Sequence, residues 1–180
     1  MLSDRDIKKL AKRKELVYPF RDDCLQPASY DVHLGPYFLD TKTGKRHVAW
    51  GARGEFILPP GELWLGATSE TFYLPHNIAA RIEGRSSWGR LGLMTHITAG
   101  FIDPGFMGAI TLELYNVNSY PLILPTVFGR VLDSTGVEPI AQVSFMKLSS
   151  RAKEPYSVKG HYRNPIGPQL SRLKGRVKKR

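Results

Sequence analysis

Apolar residues in this chain recur mostly at every second position, in short runs. In ITLELYN, residues 110–116, Ile110, Leu112 and Leu114 fall on one face of a two-residue period, and Thr111, Glu113 and Tyr115 on the other. Runs at 30–34, 36–40, 47–50, 55–58, 62–67, 71–74, 78–83, 109–116, 121–124 and 139–148 predict strands, broken by glycines and prolines that number 17 and 13. TKTGK at 41–45 predicts a hairpin loop. At the N-terminus Ser3 precedes Asp4 and Asp6, while Ile7, Leu10 and Ala11 form an apolar stripe, so one helix is predicted over 3–14. Many short strands at close spacing make the expected fold mainly β, a sandwich or barrel. After Pro155 periodicity is lost, and 155–171 reads as an irregular C-terminal arm, either a frayed end or a lid that orders on ligand. No repeat or boundary divides 1–171, which reads as a single domain.

Composition narrows the function. A chain of 180 residues with a 42% hydrophobic and 23% charged share has the balance of a soluble globular protein. No apolar run approaches the ~20 residues of a membrane span, and MLSDRDIKKL has no apolar signal core, so a cytoplasmic protein without membrane attachment is expected. Cys24 is the single cysteine, which excludes an intramolecular disulfide and a Cys-rich zinc site. The net charge of +10 is concentrated at the ends: +4 in residues 1–14, +6 in 172–180, and none between. The 172–180 run is expected to be a solvated, disordered basic tail; a nucleic-acid tether is the less favoured reading.

Candidate chemistry lies in two segments. EGRSSWGRLGL, 83–93, offers the forks of Arg85 and Arg90 and the hydroxyls of Ser86 and Ser87, a set suited to phosphate; a Ser-capped helical turn with solvated arginines fits equally. THITAGFIDPGFMGAITLELYN, 95–116, places Asp103 in a Pro-Gly turn and Glu113 on the following strand, two acids that a single pocket could use. Phosphate-loop, nucleophile-elbow and zinc-protease motifs are missing. Histidines 33, 47, 76, 96 and 161 lack ligand spacing and read as core or surface residues.

Taken in order, GRSSWGRLGL, THITAGFIDPGF and GAITLELYN resemble the core of the dCTP deaminases, a branch of the dUTPase superfamily. LSDRDIKKL, PASYDVHLG at 27–35, PIAQVSF at 139–145 and the PY…YRN…GP…SR arm extend the resemblance over most of the chain. It implies a dUTPase-like β-barrel or distorted jelly roll with a short N-terminal helix and a C-terminal lid arm. It also implies a homotrimer with inter-subunit active sites, and Mg²⁺ carried on the nucleotide triphosphate. Glu113 matches the general acid/base that activates water for attack on cytosine C4, releasing ammonia and forming dUTP. Arg90, Ser86 and the backbone at Ala99 match the groups holding that water and the pyrimidine edge. Arg85, Ser86 and Ser87 would face phosphates and Asp103 the deoxyribose 3′-hydroxyl. Thr98, Gln142, Tyr156, His161 and Tyr162 complete the implied substrate contacts. Most base deaminases build a His/Cys zinc site, which one cysteine cannot supply. A carboxylate balanced by a cation, Glu113 with Arg90, is the zinc-independent route the residues favour.

TAGFIDPGF, with Gly100 and Phe101, looks like the bifunctional dUMP-forming deaminases, in which Asp103 would help water attack the α-phosphate and release pyrophosphate. Two departures stand out: His161 and Pro165 occupy arm positions where the family usually has Lys and Gln, and 125–138 exceeds the usual short link. Two alternatives accompany this reading, a dUTPase without deaminase activity and a non-enzymatic nucleotide- or nucleic-acid-binding relative. The missing glycine-rich, Phe-containing C-terminal motif of trimeric dUTPases weighs against the first.

Overall fold

A computed structural model describes residues 1–49, 54–127 and 136–173. The expected strand end at residue 50, most of the 125–138 link and most of the 172–180 tail lie outside the described residues.

The first half of the chain runs α1 (Asp4–Ala11), β1 (Leu16–Tyr18), β2 (Tyr30–Val32), β3 (Tyr37–Asp40), β4 (Arg46–Val48), β5 (Glu55–Leu58), β6 (Leu63–Ala67), β7 (Thr71–Tyr73) and β8 (Ile78–Gly84). There follow α2 (Ser86–Arg90), β9 (Leu93–Met94), β10 (Phe101–Ile102), β11 (Met107–Gly108), β12 (Thr111–Asn116), β13 (Leu122–Pro125), β14 (Ala141–Lys147) and α3 (Tyr156–Lys159). All strand pairs are antiparallel, in sheets ordered β4-β3-β6-β12-β9, β10-β8-β14-β2 and β1-β7-β11, with a separate β5-β13 ribbon. The mainly-β expectation therefore holds.

Alternation explains most of these strands. In β12 Leu112, Leu114 and Asn116 are buried and Thr111, Glu113 and Tyr115 half-buried, so the apolar face enters the core and the other face is left for chemistry. Tyr30, Phe38, Phe72, Leu112, Leu114 and Phe145, each almost wholly buried, belong to one continuous hydrophobic cluster. Phe38 stacks on Phe56, which meets Trp64 edge-on at 5.2 Å between ring centroids.

Two predicted elements need correction. The N-terminal helix covers 4–11 rather than 3–14, because the bonds tighten to i→i−3 at Arg13 and Lys14, and Lys14 adopts φ +60°. Ser3 caps by position only: its hydroxyl donates to Asp6 at 3.3 Å. The arm is less irregular than predicted, since Tyr156–Lys159 form one helical turn and 155–165 is stitched to the chain. Tyr156 N donates to Pro104 O (2.8 Å), Asn164 N to Met107 O (3.1 Å), and Ala109 N to Pro165 O (2.9 Å). Gly108, at φ +132°, permits this approach, because a β-carbon there would stand 2.4 Å from Pro165 Cδ.

His33 is a core histidine, as its type suggested. Its backbone N–H and Nδ1 both meet the buried carboxylate of Glu70, the Nδ1 contact being 2.8 Å, and Ser69 Oγ donates to the same carboxylate at 3.2 Å. These donors compensate the desolvation of the acid.

Candidate active site

Glu113 stands mid-strand on β12, opposite Leu65 of β6. Its N–H donates to Thr95 O at 3.1 Å, and its Oε2 accepts from Ile97 N at 2.9 Å. Strand and carboxylate thus clip the 95–99 loop, with its exposed Thr98 and Ala99, to one place beside β12. A backbone N–H donated to a carboxylate is a charge-assisted bond, stronger than a neutral one.

The helix α2 contacts β9, which pairs with β12 at Tyr115 and Met94. The Ser-capped turn expected here is corrected in detail: Arg85 holds the cap position, no side chain caps, and Ser86 and Ser87 lie exposed in the first turn. Arg90 Nε donates to Ser86 Oγ at 3.3 Å, one turn earlier. Both are exposed, and among the described residues no ion pair joins Arg90 to Glu113.

Arg85 points elsewhere. Its Nη1 lies 2.9 Å from Glu138 Oε1 and its Nη2 3.7 Å from Asp31 Oδ2. Burial raises the Asp31 carboxyl above its usual range, partly offset by Arg85 and by the amide of Gln26 at 3.1 Å. Gln142 of β14 sits between Asp31 and Glu83 in register and accepts from Ser29 Oγ at 3.3 Å. Met1, Ala28, Ser29, Glu83, Gln142 and Ser144 line a cleft of about 230 Å³.

Asp103 is exposed in the turn after β10, its carbonyl accepting from Phe106 N at 3.2 Å. The arm packs against this same turn, with Tyr156 on Phe106 at 5.6 Å between ring centroids. Tyr156 Oη accepts from Tyr162 N at 3.1 Å, and Tyr162 Oη from Arg172 N at 2.9 Å. His161 is exposed beside them.

Several neighbours of the site escaped sequence reasoning. Glu83 is held by Arg81 and by His96 Nε2 at 3.3 Å, and the Arg81 contact first, then His96, lowers its carboxyl pKa. His96 had read as one more scattered histidine. The buried Thr95 Oγ and His96 Nδ1 have no hydrogen-bond partner among the described residues. The Ile97 donor belongs to the backbone and leaves no mark in residue type. Among the described residues no cluster of three His, Cys, Asp or Glu side chains is placed to hold a metal ion, and no helix is long and apolar enough to cross a membrane.

The geometry defines a β-rich protein with a carboxylate on an interior strand, a hydroxyl–guanidinium turn in the short helix before β9, and an arm docked over the turn that carries Asp103. A family model described as dCTP deaminase-like matches residues 1–127, and the chain belongs to that family. It is 43% identical over 193 residues to a protein of Dictyoglomus thermophilum named dCTP deaminase, dUMP-forming, covering 96% of this chain and 94% of the relative. Proteins of the same name from Beutenbergia cavernae and Mycolicibacterium smegmatis are each 42% identical over 190 residues, covering 96% of this chain and 94% and 95% of theirs. Among solved structures, 2′-deoxycytidine 5′-triphosphate deaminase from Agrobacterium tumefaciens shares the fold with a TM-score of 0.63 at 19% identity. That match covers 80% of this chain and 47% of the other.

Proposed function

We propose that this protein deaminates dCTP to dUTP and ammonia, without zinc, and carries dUTP on to dUMP and pyrophosphate. The observation that carries this reading is the Glu113 carboxylate, half-buried on β12 and oriented by the Ile97 amide at 2.9 Å. A carboxylate so held takes a proton from water as the oxygen adds to cytosine C4. It then returns that proton to the departing amine, so that the C4–N bond breaks and ammonia leaves. Arg90, Ser86 and the Ala99 backbone orient the water and the pyrimidine edge, with Thr98 and Gln142 completing the base and sugar contacts. Arg85, Ser86 and Ser87 face phosphates, while Asp103 binds the sugar 3′-hydroxyl and aids water attack on the α-phosphate. That second step breaks the bond from the α-phosphorus to its bridging oxygen. Mg²⁺ arrives as part of the substrate, the magnesium complex of the triphosphate. The dUMP-forming name of the relatives supports the second step.

Tyr156, His161 and Tyr162 form the lid portion of a single domain over 1–171, ahead of a basic tail. The working assembly is a homotrimer in the cytoplasm with sites between subunits. Two observations support association: Glu113 has no ion pair to Arg90 in its own chain, and Leu91, Met94, Ile97 and Phe101 are exposed around the site at 38–58%.

Incubation with dCTP and Mg²⁺, followed by separation of dUTP, dUMP and ammonia, tests the reading. Glu113→Gln keeps an oxygen for the Ile97 bond, so it should fold normally while kcat falls by about 10²–10⁴. Undiminished turnover in that variant would sink the mechanism, and dUMP formed from dUTP alone would favour a dUTPase.

A further inference from the structure

Arg85 has the residue type of a phosphate contact, yet its fork is turned toward two carboxylates. Asp31, with a side chain 6% exposed, is a buried counter-ion also held by Gln26, whereas Glu138 is 55% exposed and reaches Nη1 from the solvent side at 2.9 Å. Two bonds hold the backbone immediately after Glu138. The buried Trp88 of α2 donates Nε1 to Pro139 O at 3.0 Å, and Ile140 N donates to Val32 O at 2.8 Å, next to Asp31. The chain is therefore anchored immediately after Glu138 to the helix that carries the site's hydroxyls and to the strand that carries Asp31.

A guanidinium offers the same planar donors to carboxylate and to phosphate oxygens, so one fork edge cannot serve both at once. We propose that Glu138 is a specificity-determining residue that occupies the phosphate-binding edge of Arg85 until a triphosphate displaces it, while Asp31 keeps the guanidinium in place. This rests on Arg85 being a phosphate contact, as in the proposed function. An exposed pair is weak enough to be displaced without abolishing binding. Its effect is selective: a triphosphate brings enough negative charge to outcompete one carboxylate, and a nucleoside monophosphate competes less well. Glu138 thereby raises KM and favours release of a dUMP product.

Binding of magnesium dCTP to the full chain by titration calorimetry, together with ammonia-release kinetics, tests this in wild type, Glu138→Gln, Glu138→Ala, Arg85→Gln and Glu138→Gln/Arg85→Gln. Removing the carboxylate should lower Kd and KM about two- to fivefold with kcat little changed, and the gain should shrink as salt rises. In the Arg85→Gln background the gain should vanish. An unchanged or weaker Kd in both Glu138 variants overturns the inference, as does a gain that persists without Arg85. If wild type binds dCTP but releases no ammonia, the deaminase reading fails while the Kd comparison still decides the role of Glu138. Absence of any dCTP binding overturns both.

Discussion

Replacing Gly108 by alanine tests how the arm is held and whether its docking matters to the nucleotide. Gly108 adopts φ +132°, and an added β-carbon would stand 2.4 Å from Pro165 Cδ and 2.8 Å from Pro165 N. These are ring and backbone atoms, so no rotamer change relieves the overlap. The backbone conformation alone costs a non-glycine residue about 1–3 kcal/mol. If the arm lifts away, the Asn164–Met107 and Ala109–Pro165 bonds are lost as well. At about 0.5–1.5 kcal/mol for each of those bonds, the total loss is about 2–6 kcal/mol. For a chain of this length that lowers Tm by at least about 4 °C. Gly61→Ala is the control, since Gly61 has φ +66° but nothing within 4 Å, so it carries a positive-φ cost without the clash. Trypsin supplies the second readout, because Lys159 and Arg163 are exposed on the arm and become better substrates once it detaches. In Gly108→Ala, faster cleavage at these sites should accompany a raised KM for dCTP, and Gly61→Ala should show neither. A Gly108→Ala protein with the wild-type Tm and the wild-type digestion pattern would refute the docking geometry. Faster digestion with an unchanged KM would leave the docking standing and remove the arm from nucleotide binding.

Two further outcomes follow from buried groups. Burial raises the Asp31 carboxyl above its usual 3.8, so the native state binds that proton more tightly than the unfolded chain does. The resulting stabilisation is present at low pH and fades as pH rises through the raised value. Asp31→Asn should therefore flatten the decline in urea-melt stability from about pH 4 upward, and an unaltered pH slope would contradict the assignment. Burial pushes the Cys24 thiol up to about 12, so at pH 8 iodoacetamide should label it only after denaturation; rapid labelling of the folded protein would contradict its placement.

How much of this was legible in the chain depends on the range of the interaction responsible. β12 and β14 could be read from alternation because their buried and half-buried positions do alternate along their own lengths. β1, β9, β10 and β11 are two or three residues long and exist because distant partners hold them: Leu16 and Met107 both pair with Tyr73. No local period announces such strands. The site divides in the same way. Ser86, Arg90, Asp103 and Glu113 could be named from residue type and motif order, whereas what each one touches could not. The donor to Glu113 is a backbone amide sixteen residues away, and the acid on Arg85 lies fifty-three residues away. These two contacts give the site an uneven charge arrangement within one chain: among the described residues Glu113 accepts from an amide and makes no ion pair with Arg90, and Arg85 faces two acids. A guanidinium countered by two acids, one of them largely exposed, is poised to change partners. On the proposed reading a triphosphate takes the edge of Arg85 that Glu138 holds. The Glu138 carboxylate then competes with the nucleotide for the same donors, which is why mutating Glu138 should strengthen nucleotide binding although it removes an ion pair.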